Sequence, residues 1–172
     1  MNHSLRSCSD RRCTGSKTFV SIATSRRRVR SRCELPDCHL IDTNIFFELR
    51  RKDANPGVVN WFADRPANTL YLSVLTLGEI RKGIEALPSS KRKLSLRDWL
   101  EVDLPAFFTS RILPIDETVV DRWGRLLARI KRTAPAVDSL IAATTLTHAL
   151  TLVTRNESDF KFPELDVINP WQ

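Results

Sequence analysis

The chain has 172 residues, a net charge of +7 and a sequence pI near 9.7. That length fits one compact domain with residues to spare, and no apolar run approaches the roughly 20 residues that span a bilayer. The charge is unevenly placed: residues 1–37 carry nine Lys/Arg against three Asp/Glu, whereas residues 38–172 carry eighteen against seventeen, so bulk charge alone does not make the folded part a nucleic-acid binder.

Residues 1–37 show no hydrophobic periodicity and are rich in Arg and Ser, with Arg26, Arg27, Arg28, Arg30 and Arg32 in close succession. Such a segment cannot bury enough apolar surface to offset its ordering entropy, and the prediction is a disordered extension to a domain at 38–172. Thr18–Thr24 is too short and interrupted for the apolar region of a secretory signal. An organelle transit peptide and a reading frame begun too far upstream both stay open. An internal start would need a non-ATG codon, with Val29 or Leu35 as candidates, because Met1 is the single methionine. Cys8, Cys13, Cys33 and Cys38 form two C-x4-C pairs, looser than most zinc pairs. The absence of cysteine beyond position 38 predicts a core with neither a disulfide framework nor a thiol nucleophile, which suits a reducing cytoplasm.

From Cys38 onward, short apolar runs alternate with longer amphipathic ones. In chain order the strands are predicted at 39–41, 69–74, 111–115, 150–154 and 166–168. The helices are predicted at 45–51, 58–63, 77–87, 94–108, 117–131 and 137–149. Val119, Val120, Trp123, Leu126, Leu127 and Ile130 form one stripe at helical spacing. Alternation of this kind predicts an α/β class, with a mostly parallel sheet of about five strands covered by helices.

Open α/β sheets bind ligands beyond the carboxyl ends of their strands. Asp42-Thr43-Asn44 follows the first predicted strand, Thr76-Leu77-Gly78-Glu79 the second, and Arg155-Asn156-Glu157-Ser158-Asp159 the fourth; Asp138 opens the last helix. Each acid has an ordinary explanation. Asp42 is a good N-cap, Thr76 and Glu79 fit a capping box, Asp138 suits a helix start, and Asp159 suits a turn. Their convergence is harder to explain that way, because carboxylates brought within a few ångströms repel one another unless a cation or a proton intervenes. Oxygen ligands without His or Cys suit Mg2+, or Mn2+. His148, near a helix end, is expected at the surface, and no P-loop or G-x-G-x-x-G pattern occurs.

The segments LIDTNIFFELRR, LSVLTLGEIRKGIEAL, RILPIDETVVDRWGRL, AVDSLIAATTLTHALTLVTRNESDF and DVINPW together resemble PIN-domain ribonucleases, in particular the toxin halves of VapBC-type and FitB-like toxin–antitoxin modules. The resemblance spans about 38–172 and implies a PIN-like α/β/α sandwich. It implies a Mg2+-dependent, or Mn2+-dependent, ribonuclease with Asp42, Glu79 and Asp138 as its acidic residues. The fourth acidic position falls on Asn156, or is supplied by Asp159. Thr43, Asn44 and Thr154 match polar positions lining the site. Basic neighbours, Arg81 and Arg155 among them with Arg50, Arg51, Lys52 and Lys82, are candidates to meet RNA. The implied partners are a cognate antitoxin, an RNA substrate and a second copy of the chain in a homodimer, with no membrane. For Phe46, Phe47 and Trp61, core packing is favoured over antitoxin contact. Two alternatives remain: a PIN fold acting as a catalytically weak or inactive scaffold, and a basic extension serving as a nucleic-acid arm.

Overall fold

A computed structural model describes residues 38–130 and 133–172. The expectations for residues 1–37, including any zinc site at Cys8, Cys13 and Cys33, lie outside the described residues. So does Lys131, the predicted end of the fifth helix. Cys38 is buried and disulfide-bonded at the edge of the described residues.

Five short strands, β1 (His39–Ile41), β2 (Leu70–Ser73), β3 (Ile112–Leu113), β4 (Thr151–Val153) and β5 (Val167–Ile168), form a sheet in the order β3-β2-β1-β4-β5. Every neighbouring pair is parallel. Strand side chains alternate between the two faces, and each face is buried under helices. Ile41, Leu70, Leu72 and Val153 join one core with α1 (Thr43–Leu49), α2 (Pro56–Ala63) and α3 (Val74–Glu85). Leu40, Tyr71 and Leu152 join the other, which also holds Leu126 and Ile141 from the two later helices. The predicted α/β/α sandwich is therefore the observed one.

Two helices differ from expectation. The third begins at Val74 instead of residue 77 because Ser73, the last residue of β2, caps it by accepting the Leu75 N–H at 3.2 Å. Thr76 is thus a fully buried residue inside the helix, and its pairing with Glu79 in a capping box does not occur. The predicted helix at 94–108 is three pieces: α4 (Lys91–Asp98), a π-helical turn (Trp99–Asp103) and α5 (Leu104–Phe107). Pro105 lacks the N–H that would continue regular bonding and crowds the preceding turn, and the ladder widens just before it, with Leu104 N–H reaching Trp99 O.

The last two helices are α6 (Glu117–Arg129) and α7 (Ala136–Thr147). Val119 and Leu126 of the apolar stripe are buried, but Val120 is 46% exposed. Trp123 donates its indole N–H to Ser139 Oγ at 2.9 Å and ties α6 to α7. The end of α7 is a Schellman motif: Leu150 N–H bonds Thr145 O at 3.0 Å and Ala149 N–H bonds Leu146 O at 3.4 Å. Ala149 sits there at φ 52°, a left-handed conformation that disfavours a side chain by about 1 kcal/mol or more. Ala149→Gly is expected to stabilise the fold by about 0.5–1 kcal/mol, read as a higher urea midpoint with an unchanged slope.

Among the described residues no helix is long and apolar enough to cross a membrane.

Candidate active site

The parallel register sets Ile41 of β1 beside Val153 of β4, so the residues that leave these strands, Asp42 and Thr154, emerge side by side. Asp42 N–H bonds Val153 O at 3.0 Å and fixes this exit. Asp42 caps α1 as predicted, its Oδ1 accepting the Thr43 N–H at 2.7 Å. Its Oδ2 accepts from the Thr154 hydroxyl at 2.6 Å and from the Asn44 amide at 2.7 Å. Asn44 also donates to Thr154 Oγ1 at 2.9 Å, and Asn156 N–H reaches the same oxygen at 3.0 Å. The capping role and membership of an acidic cluster therefore coexist in one carboxylate.

Glu79 enters from α3 and accepts the Thr43 hydroxyl at 2.6 Å, so Thr43 joins Asp42 and Glu79 through its N–H and its hydroxyl. Asp138 lies in the first turn of α7. Burial pushes the Asp42 carboxyl up to about 6; hydrogen bonds from Thr154 and Thr43 offset part of this, and the Glu79 and Asp138 charges add to it. Asp138 is also raised, first by burial and then by Asp159 and Glu79. Electrostatics thus link all four acids. Asn156 occupies the predicted fourth position but carries no charge; its amide donates to Asp159, which also receives the Ser158 hydroxyl at 3.4 Å.

The remaining predicted residues divide. Arg155 adjoins the cluster, its backbone N–H donating to Asn44 Oδ1 at 3.3 Å. Arg81 does not join it by any of these bonds: its guanidinium meets Glu101 at 2.8 Å and Glu85 at 3.8 Å. Arg50 lies over the Trp99 ring, 4.9 Å from its centroid. His148 is half-buried, not at the surface as expected, with Nε2 unpartnered and its pKa held down by burial against the opposing pull of Asp116. Phe46 packs in the core, Trp61 meets His39 edge-on at 5.0 Å, and Phe47 is 48% exposed. Sequence reasoning passed over Glu48 and Trp171, which border one cavity together with Arg155.

Among the described residues no three His, Cys, Asp or Glu side chains already stand close enough together to hold a metal ion. The donor chemistry nevertheless fits a hard divalent cation: all donors are oxygens, and the neighbouring charges that raise Asp42 and Asp138 are carboxylates. Both Asp42 oxygens are engaged in hydrogen bonds, so ligation calls for rearrangement of the side chains.

Fold and site together define a class: a parallel α/β/α domain with an all-oxygen acidic centre at the carboxyl ends of its central strands. The family model for the PIN domain matches residues 39–166. The chain belongs to the PIN-domain family. It is 33% identical over 136 residues to VapC ribonuclease Y4jK of Sinorhizobium fredii, covering 77% of this chain and 97% of the relative. It is 36% identical over 135 residues to Toxin FitB of Neisseria gonorrhoeae, covering 77% and 97% respectively. The crystal structure of FitAcB from Neisseria gonorrhoeae superposes with a TM-score of 0.74 at 35% identity, covering 78% of this chain and 99% of that one.

Proposed function

We propose that this chain is the toxin of a toxin–antitoxin pair, a Mg2+- or Mn2+-dependent ribonuclease that hydrolyses RNA phosphodiester bonds. The observation that carries the proposal is the convergence of Asp42 and Glu79 on Thr43 at the carboxyl end of β1, with the Asp138 charge near enough to raise Asp42. The relatives named ribonuclease and toxin supply the reaction class and the biological setting.

Asp42, Glu79, Asp138 and Asp159 would hold the metal, with the Asn156 amide orienting Asp159. When bound, the cation supplies charge neutralisation at the phosphate and eases deprotonation of the attacking water. Thr154, Asn44 and the Thr43 N–H keep Asp42 in a single orientation. The Thr43 hydroxyl does the same for Glu79. Arg155 stands where RNA would approach, and its guanidinium suits a phosphate.

A cognate antitoxin that covers the site, a homodimer, a cytoplasmic setting and a basic extension at 1–37 outside the 38–172 domain belong to the same proposal. A scaffold without catalysis rests on Asn156 alone, and Asp159 beside Asp138 weakens that case.

The test incubates the full chain and its Asp138→Asn variant with RNA in Mg2+ or Mn2+, with and without EDTA. Cleavage is expected to require metal and to fall at least about 100-fold in the variant. Two folded proteins equally inactive on varied RNAs would overturn the nuclease and favour the scaffold.

A further inference from the structure

A cavity of about 490 Å3 opens beside the acidic cluster, bordered by Glu48, Arg51, Asp53, Asn55, Arg155 and Trp171 among others. That volume falls within the roughly 300–1,000 Å3 typical of small-molecule sites. Asn44 joins the two places. Its amide nitrogen bonds Asp42 and Thr154, and its oxygen takes the Arg155 N–H. Glu48 lies one helical turn further along α1, so it shares a face with Asn44.

The cavity is built from fixed parts. Glu48 is buried, and its carboxylate accepts the Asn55 N–H at 2.9 Å, Arg51 at 3.3 Å and a side-chain bond from Trp171. These three donors occupy its charge. Trp171 is further held by its backbone N–H on Asn169 Oδ1 at 3.1 Å. Asn169 and Gln172 both donate to Glu157, at 2.7 and 2.8 Å, which straps the chain end to the loop carrying Arg155, Asn156 and Asp159. Gly57 permits the same closeness on the other side, because a methyl group there would collide with the Pro170 carbonyl. Outward, the cavity offers the Trp171 ring with the Arg155 guanidinium 5.7 Å from its centroid, and an Arg51 side chain that is 62% exposed. Asp53 is the opposing charge on this rim.

An aromatic ring with one guanidinium over it and a second nearby makes a stacking layer that suits a nucleobase and its phosphate. Bases stacked inside a duplex cannot reach such a surface, whereas splayed single-stranded bases can. We propose that this cavity is a nucleotide subsite for single-stranded RNA. The base next to the cleaved phosphodiester lies on Trp171 and Arg155, and Arg51 meets a flanking phosphate. The proposal rests on the nuclease function and assigns a specificity-determining role to Trp171, with Glu48 as its positioning residue.

The test measures binding of a fluorescent single-stranded oligoribonucleotide to the full chain in EDTA, where cleavage is suppressed, and then KM and kcat in Mg2+. Trp171→Ala is expected to weaken binding about tenfold or more and to raise KM with little change in kcat, whereas Trp171→Phe restores most of the affinity. Arg51→Gln, whose amide can still donate to Glu48 but carries no charge, is expected, once confirmed as folded, to weaken binding severalfold and to flatten its salt dependence. Cleavage by the parent with unchanged binding and KM in Arg51→Gln and in a folded Trp171→Ala overturns the subsite and leaves the nuclease standing. Equal affinity for single- and double-stranded RNA also overturns it. Trp171-dependent binding by a parent that never cleaves supports the subsite and removes the nuclease.

Discussion

Asp42→Asn is expected to abolish RNA cleavage, by on the order of 10²- to 10³-fold or more, while making the metal-free protein more stable at pH 7. The two effects have one origin. Asp42 is buried at the centre of the cluster, and its carboxyl is held at about 6 by burial and by the Glu79 and Asp138 charges despite its hydrogen bonds. Keeping it ionised at neutral pH costs the fold about 3 kcal/mol, from a rise of about two pKa units at about 1.4 kcal/mol each. The substitution removes that cost. It keeps an oxygen for the Thr43 N–H, but it sets a new amide N–H against both the Asn44 amide and the Thr154 hydroxyl, a loss of about 1–2 kcal/mol. The net gain is therefore about 1–2 kcal/mol, measurable by urea unfolding in EDTA. A variant that is both inactive and clearly less stable would show that Asp42 is chiefly a helix cap.

The pH dependence of stability should carry the same signature. The folded-state pKa of Asp42 is raised above the 3.8 of the unfolded chain, so between about pH 4 and 6 the folded protein holds a proton that the unfolded chain has released. Stability therefore falls as pH rises through that window. Asp42 alone should make the metal-free protein about 1 kcal/mol more stable at pH 5 than at pH 7, and Asp138, raised for related reasons, acts in the same direction. His148 acts in the opposite direction, because burial lowers its pKa and the unfolded chain gains the proton first as pH falls below about 6.5. Comparison of the parent with Asp42→Asn cancels the histidine. Unfolding curves at pH 5 and pH 7 in EDTA should differ between the two proteins by that 1 kcal/mol, and saturating Mg2+ should shrink the difference. Identical pH profiles would mean that Asp42 does not bear the strain assigned to it.

Much of the fold was legible because strands and amphipathic helices write their periods into the chain. His39–Ile41 and the buried members of the α6 stripe are instances. Asp42, Glu79 and Asp138 were legible as a group because each follows or precedes an element that a parallel sheet must point to one edge. The start of α3 was not, since Ser73 and Thr76 are both able caps and strand pairing decides between them. The π-helical turn was hidden because Pro105 announces a disturbance without fixing how the preceding backbone adapts. Arg81 looked suited to RNA from its place two residues after Glu79, yet Glu101, twenty positions away, lies close enough to pair with it. Glu48 and Trp171 left no local signal at all. Their meeting depends on α1 and the chain end being folded against one another, a relation between distant positions that no window of sequence contains.

The strand order β3-β2-β1-β4-β5 places β1, the first strand of the described residues, at the centre of the sheet. Its flanking partner β4 begins at Thr151, more than a hundred residues later in synthesis. Until that stretch has left the ribosome, Asp42 lacks Thr154 and Asp138 lacks Asp159. A chain cut short before residue 154 therefore carries half a centre, and whatever the assembled acids do is withheld until that later stretch has been made and folded in.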